Sequence, residues 1–77
     1  MTKREKIKEK FLNNPVSLKL SEIESFLKAE GFELIEAKGS HKKVRHKKSG
    51  KMYILPIHNS DVLNVYKKKL LEFYNNI

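Results

Sequence analysis

The segment Lys38-Gly39-Ser40-His41-Lys42-Lys43-Val44-Arg45-His46-Lys47-Lys48-Ser49-Gly50-Lys51 holds two chain reversals separated by the length of one strand. Gly39-Ser40 reads as a turn, residues 41–46 as a strand, and Lys47-Lys48-Ser49-Gly50 as a hairpin loop whose glycine takes positive φ. A candidate strand flanks the segment on each side. In residues 32–37, Phe32 and Leu34 face one way and Glu33 and Ile35 the other. Residues 51–57 hold Met52, Tyr53, Ile54, Leu55 and Ile57 and are apolar on both faces, with Pro56 near the end, where a missing donor is tolerated. Three consecutive strands joined by short turns make an antiparallel meander.

Helical patterns lie outside the meander. Thr2-Lys3-Arg4-Glu5 has the spacing of a capping box, and Ile7, Phe11 and Leu12 follow on one face, which predicts a helix over 3–13 ended by Asn13-Asn14-Pro15. Val16, Leu18 and Leu20 alternate in a connector read as extended against the core. Ser21-Glu22-Ile23-Glu24 repeats the capping-box spacing ahead of a stripe of Ile23, Phe26 and Leu27, and Gly31 stands where a C-terminal glycine belongs, so residues 22–30 form a second helix. Ser60 and Asp61 are the N-cap candidates of a last helix carrying Val62, Val65, Tyr66, Leu70, Phe73 and Ile77 near helical spacing. Lys67, Lys68 and Lys69 read as its solvated face or as an extension of a basic track. The order is α-α-β-β-β-α, an α+β fold in one domain over residues 1–77, with residues 1–14 as an N-terminal helical extension. The helices must cover one sheet face to bury Leu34, Val44 and the apolar side of the third strand.

Composition narrows the function classes. The absence of cysteine excludes disulfides and thiolate metal sites. No apolar run approaches the roughly 18 residues of a membrane span, and the basic, polar N-terminus has no apolar signal region behind it, so the reading is a soluble cytoplasmic protein with no membrane partner. The formal charge of +8 favours an acidic partner: nucleic acid first, an acidic protein surface second, anionic lipid third. Seven of the 17 Lys and Arg residues fall between 38 and 51, and no acid falls between Glu36 and Asp61. Such clustering of like charge destabilises a fold unless a polyanion sits there.

If Val44 points inward, then His41, Lys43 and Arg45 share the outer face of the second strand. RNA carries its own nucleophile, the 2′-hydroxyl. A histidine near neutral pKa can take that proton and let the oxygen attack the adjacent phosphate, while Lys or Arg stabilises the charge that develops. That chemistry asks for no cofactor and no metal, and three histidines without a nearby cluster of Asp, Glu or Cys make a poor metal site. Taken from pattern alone, His41 also reads as an exposed turn residue, His46 as a strand-edge residue of the basic patch, and His58 as a cap or phosphate contact.

The segments Glu30-Gly31-Phe32-Glu33-Leu34, Lys38-Gly39-Ser40-His41, Arg45-His46 and Leu55-Pro56-Ile57-His58 resemble, in order and spacing, the HicA-type toxins of bacterial toxin–antitoxin systems. The similarity covers roughly residues 20–71. It implies a double-stranded-RNA-binding-like α-β-β-β-α fold with a three-stranded antiparallel sheet, here with an extra N-terminal helix. It also implies a metal-independent endoribonuclease acting on mRNA and held inactive by a HicB-like antitoxin. The histidine of the family's Gly-Ser-His turn is catalytic, which corresponds to His41. Around it, Lys38, Gly39, Ser40, Lys42, Lys43, Arg45, Lys47 and Lys48 are the expected RNA-binding residues. Two other readings stand beside this one: a non-catalytic RNA-binding module of the same fold, and a basic interaction protein whose working partner is an acidic protein.

Overall fold

A computed structural model describes residues 2–59 and 61–77. The order is α1 (Lys3–Asn13), a 3-10 turn (Pro15–Ser17), α2 (Leu20–Ala29), β1 (Phe32–Glu36), β2 (His41–His46), β3 (Met52–Pro56) and α3 (Asn64–Asn75). The strands form one antiparallel sheet in the order β1-β2-β3. This is the α+β, α-α-β-β-β-α arrangement read from the sequence.

Helix α1 starts where the Thr2 hydroxyl accepts the Glu5 N–H at 3.2 Å. Its one fully buried residue is Phe11, and Ile7, partly buried, packs against the same core. The connector is not extended. Pro15 opens a 3-10 turn, closed by the Ser17 N–H and hydroxyl donating to the Asn14 carbonyl at 3.1 and 2.8 Å. Helix α2 begins at Leu20, two residues ahead of the expected start. The Glu22 carboxylate accepts the Lys19 N–H at 3.0 Å, so Lys19, and not Ser21, takes the cap position. The earlier start places Leu20, Ile23 and Leu27 on one buried face. Gly31, at φ +90°, ends the helix in the left-handed region as expected.

Sheet register settles the faces. Leu34, Val44 and Tyr53 lie in one row across the three strands, with Val44 fully buried. Phe32 and Leu55 share this inner side and are buried against the helices. A ring cluster joins the two layers. Tyr74 of α3 lies 5.4 Å edge-on to Phe11, 5.7 Å from Phe26 and 5.9 Å from Phe32, and Phe73 stacks on Tyr53 at 5.6 Å. The Tyr74 hydroxyl donates to Glu30 at 2.6 Å.

The last helix departs from expectation in three ways. It starts at Asn64, and the Leu63 carbonyl accepts the N–H groups of Tyr66 and Lys67. Asp61 instead closes a tight turn with His58 through backbone bonds of 2.7 and 3.0 Å and takes the Val62 N–H on its carboxylate, which seats Val62 in the core; Ser60 lies outside the described residues. Val65 and Ile77 are exposed, because the buried stripe runs through Lys67 and Leu70. Lys67 is therefore no solvated residue: it is 5% exposed and donates to the Leu18 carbonyl at 2.7 Å and the Val16 carbonyl at 3.5 Å.

Two measurements test this packing. Lys67→Met leaves the Leu18 carbonyl buried without a donor and is expected to cost about 1–3 kcal/mol in urea unfolding; unchanged stability would mean that desolvation of the ammonium offsets its bonds. Burial first, then the bond to Glu30, push the Tyr74 phenol up to about 12 from its ordinary 10. Its folded pKa lies above its unfolded one, so the protonated phenol stabilises the fold fully below pH 10, and that stability is lost as pH rises from 10 through 12. Tyr74→Phe is expected to flatten this alkaline loss in stability measured against pH.

Candidate nucleic-acid interface

Alternation along β2 divides its side chains. His41, Lys43 and Arg45 point to the outer face, opposite Pro56, Ile54 and Met52 of β3. Lys42, Val44 and His46 point toward the helices. His41 is exposed at the first position of β2, and its carbonyl accepts the Ala37 N–H at 3.0 Å. Gly39, at φ +73°, permits the reversal just before it. The turn is pinned on its other side, where the Ile57 N–H donates to the Ser40 carbonyl at 2.6 Å.

These contacts leave an open cavity of about 220 Å³ at the end of the sheet, lined by Glu36, Gly39, Ser40, His41, Lys42, Ile57 and Asn59. A larger cavity of about 450 Å³ lies between α1 and α2, among Ile7, Phe26 and Ala29, and contains no histidine. His41 lines the smaller one. Among the described residues the imidazole of His41 has no hydrogen-bond partner and no three metal-ligating side chains gather.

The basic run does not act as one patch. Lys42 is held between Glu24 at 3.1 Å and Glu36 at 3.6 Å. Arg45 donates to Glu33 at 2.9 Å across the β1–β2 pair. The Lys51 ammonium donates to the Asn76 carbonyl at 3.0 Å. Lys38, Lys43, Lys47 and Lys48 have no acidic partner among the described residues. Lys43 follows His41 on the same face at about 7 Å along the strand. Lys47 and Lys48 stand at the far end of β2, more than about 16 Å from His41 at 3.3 Å per residue. Proximity in sequence groups them with the histidine; an extended strand carries them away from it.

The other two histidines serve the backbone. His46 Nδ1 accepts the Ser49 N–H at 3.2 Å and lies 2.8 Å from the Ser49 hydroxyl, so the imidazole caps the hairpin loop, while its ring packs 4.9 Å from Phe32. His58 is exposed and closes the turn with Asp61. Sequence pattern does not single out Asn59. It adopts φ +50°, a region that asparagine tolerates better than most residues, and so reaches the wall of the cavity shared with His41. The available signal is the polar run His58-Asn59-Ser60-Asp61 between Ile57 and Val62, which is turn chemistry as much as cap chemistry.

A family model described as HicA toxin of bacterial toxin–antitoxin matches residues 20–72, from the first residue of α2 into α3. The match covers more than half of the chain and leaves α1 outside. No curated protein and no solved structure matches.

Backbone freedom at the turn is testable. A Cβ on Gly39 meets no atom within 4 Å, so Gly39→Ala carries only the conformational cost of the left-handed region, about 1–2 kcal/mol. Urea unfolding is expected to show that loss with the circular dichroism spectrum unchanged.

Proposed function

The chain belongs to the HicA toxin family of bacterial toxin–antitoxin systems, and on that footing we propose that it is an endoribonuclease that cleaves mRNA with His41 as its base and is neutralised by a HicB-like antitoxin. The observation that carries the reading is the placement of His41: exposed, at a pinned glycine turn, in an open cavity, with Lys43, which has no acidic partner among the described residues, next along the same face. His41 takes the proton of a ribose 2′-hydroxyl. The 2′-oxygen bonds to the adjacent phosphorus, the bond to the 5′-oxygen breaks, and that oxygen takes a proton from water as it leaves. The products are a 2′,3′-cyclic phosphate and a 5′-hydroxyl. Lys43, and Lys38 beside the turn, stabilise the charge on the phosphoryl oxygens.

The remaining expected contacts sort by availability. Gly39 and Ser40 line the cavity. Lys47 and Lys48 meet the RNA backbone at the far end of the sheet, as on a double-stranded-RNA-binding-like fold. Arg45 meets phosphate by exchanging it for Glu33, which costs little because exposed pairs are worth about 0–1 kcal/mol. Lys42 is the least available, being shared by two carboxylates. A non-catalytic RNA-binding module is the second reading, and one observation favours it: among the described residues nothing is bonded to the His41 imidazole to orient it.

Cleavage of a structured mRNA in EDTA, by wild type and by His41→Ala of matched circular dichroism, tests the proposal. Loss of the base is expected to slow cleavage by about 10²–10⁴-fold, with cyclic phosphate ends on the wild-type products. Cleavage by the variant at the wild-type rate sinks the role of His41, and binding without cleavage by either protein supports the second reading. In the same buffers Lys43→Gln is expected to lower the salt slope of RNA binding by roughly 0.7–0.9, one phosphate contact, whereas Lys42→Gln leaves the slope in place.

A further inference from the structure

We propose that the uncovered face of the sheet is a docking site for an amphipathic helix of a partner protein, apolar along one stripe and acidic along the stripe beside it. The proposal does not rest on the nuclease reading, since it needs neither RNA nor cleavage. Its first support is an apolar column on β3 that the helices of this chain leave in water. Met52 and Ile54 are 47% and 45% exposed, whereas Val44 and Leu55 on the opposite face are 0% and 1% exposed. Pro56 continues the column, two residues beyond Ile54. Exposed apolar residues rimmed by charge are the usual mark of a protein contact.

The second support is the register. Across the β2–β3 pair, Arg45 stands opposite Met52, Lys43 opposite Ile54 and His41 opposite Pro56. Each apolar residue therefore has a basic neighbour one strand away, about 4.8 Å to the side. The face carries two parallel columns, one apolar and one basic. Lys43, in the middle of the basic column, has no acidic partner among the described residues, while Arg45 is engaged by Glu33. A helix presents two adjacent stripes to one surface, an apolar seam at heptad positions a and d and a flank at e. Its turns rise about 5.4 Å, close to the roughly 6.6 Å between successive outward residues of a strand. Laid along β3, such a helix sets its seam on Met52, Ile54 and Pro56 and brings acids on its flank over Lys43. The mode is that of an amphipathic helix laid on an apolar surface, with charge fixing the side on which it leans.

Other occupants fit less well. An extended segment turns alternate residues to opposite faces, so it cannot offer apolar and acidic sets to the two columns at once. A second copy of this chain would bring two charges of +8 together. RNA would find cations here but no ring to stack on, because the outer face has no Phe or Tyr and the seven in the chain are buried or half-buried, and it would leave Met52 and Ile54 in water. The β1 side of the same face is less suited, since it pairs one apolar residue, Ile35, with Glu33, which repels an acidic flank.

The test uses the isotope-labelled full chain and two capped peptides of about 14 residues, each about 21 Å long and held helical by one lactam bridge away from the seam. Both carry leucine at a and d. One carries its glutamates at e, and the other carries the same number at f, on the far side of the helix. Binding is followed by NMR of the methyl groups. The e peptide is expected to give NOEs from its leucines to the Met52 and Ile54 methyls, and the f peptide to bind at least about threefold more weakly. Lys43→Gln is expected to erase the difference between the two peptides, and Ile54→Thr to weaken both. If Ile54→Thr misfolds, the peptide pair and Lys43→Gln decide. The proposal is overturned if saturating e peptide gives no such NOEs, if the two peptides bind the wild type equally, if their difference survives Lys43→Gln, or if a single-stranded oligouridylate gives ribose NOEs to the same two methyls. Because no RNA is cleaved in the peptide titrations, their failure and the failure of the nuclease reading are separate results.

Discussion

Burial of Val44 is the constraint on which the rest depends. Val44 is the one apolar residue in β2, and it sits between Leu34 and Tyr53 with no exposed surface. Turning it outward would forfeit about 1.5–3 kcal/mol of burial and would drive Lys43 and Arg45 into the core, where unpaired charge costs several kcal/mol more. A slip of one residue is thereby forbidden. Once Val44 is fixed, alternation places His41, Lys43 and Arg45 outside and Lys42 and His46 inside. One valine therefore decides which cations of a dense basic run are free for a partner and which are held by the protein itself.

That division changes the meaning of the +8 charge. The run from Lys38 to Lys51 suggests a single anion-binding patch, yet Glu24, Glu36 and Glu33 come to it from α2 and β1 and engage Lys42 and Arg45. The acids missing from the local sequence are supplied by tertiary structure. What has no acidic partner among the described residues falls into two groups at opposite ends of β2, Lys38 and Lys43 near His41 and Lys47 and Lys48 in the hairpin loop. An elongated polyanion laid along the sheet would meet both groups, whereas a single phosphate would meet only one.

The strands are legible in the sequence because their signals are local: glycines with positive φ at 31, 39 and 50, the spacing of Phe32 and Leu34 in β1, a lone apolar Val44 in β2, and one proline at the end of β3. Helix termini are less so. Ser21 and Asp61 have cap chemistry, but the caps lie elsewhere, because burying Leu20 and Val62 outweighs a preference worth about 1 kcal/mol. Lys67 is illegible for a different reason. Three consecutive lysines look solvated, and only the 3-10 turn packed against α3 supplies the carbonyls that make the first of them an interior residue. The cavity at His41 is half legible. The turn announces itself, whereas Asn59 arrives from a later segment whose fold depends on a turn between His58 and Asp61.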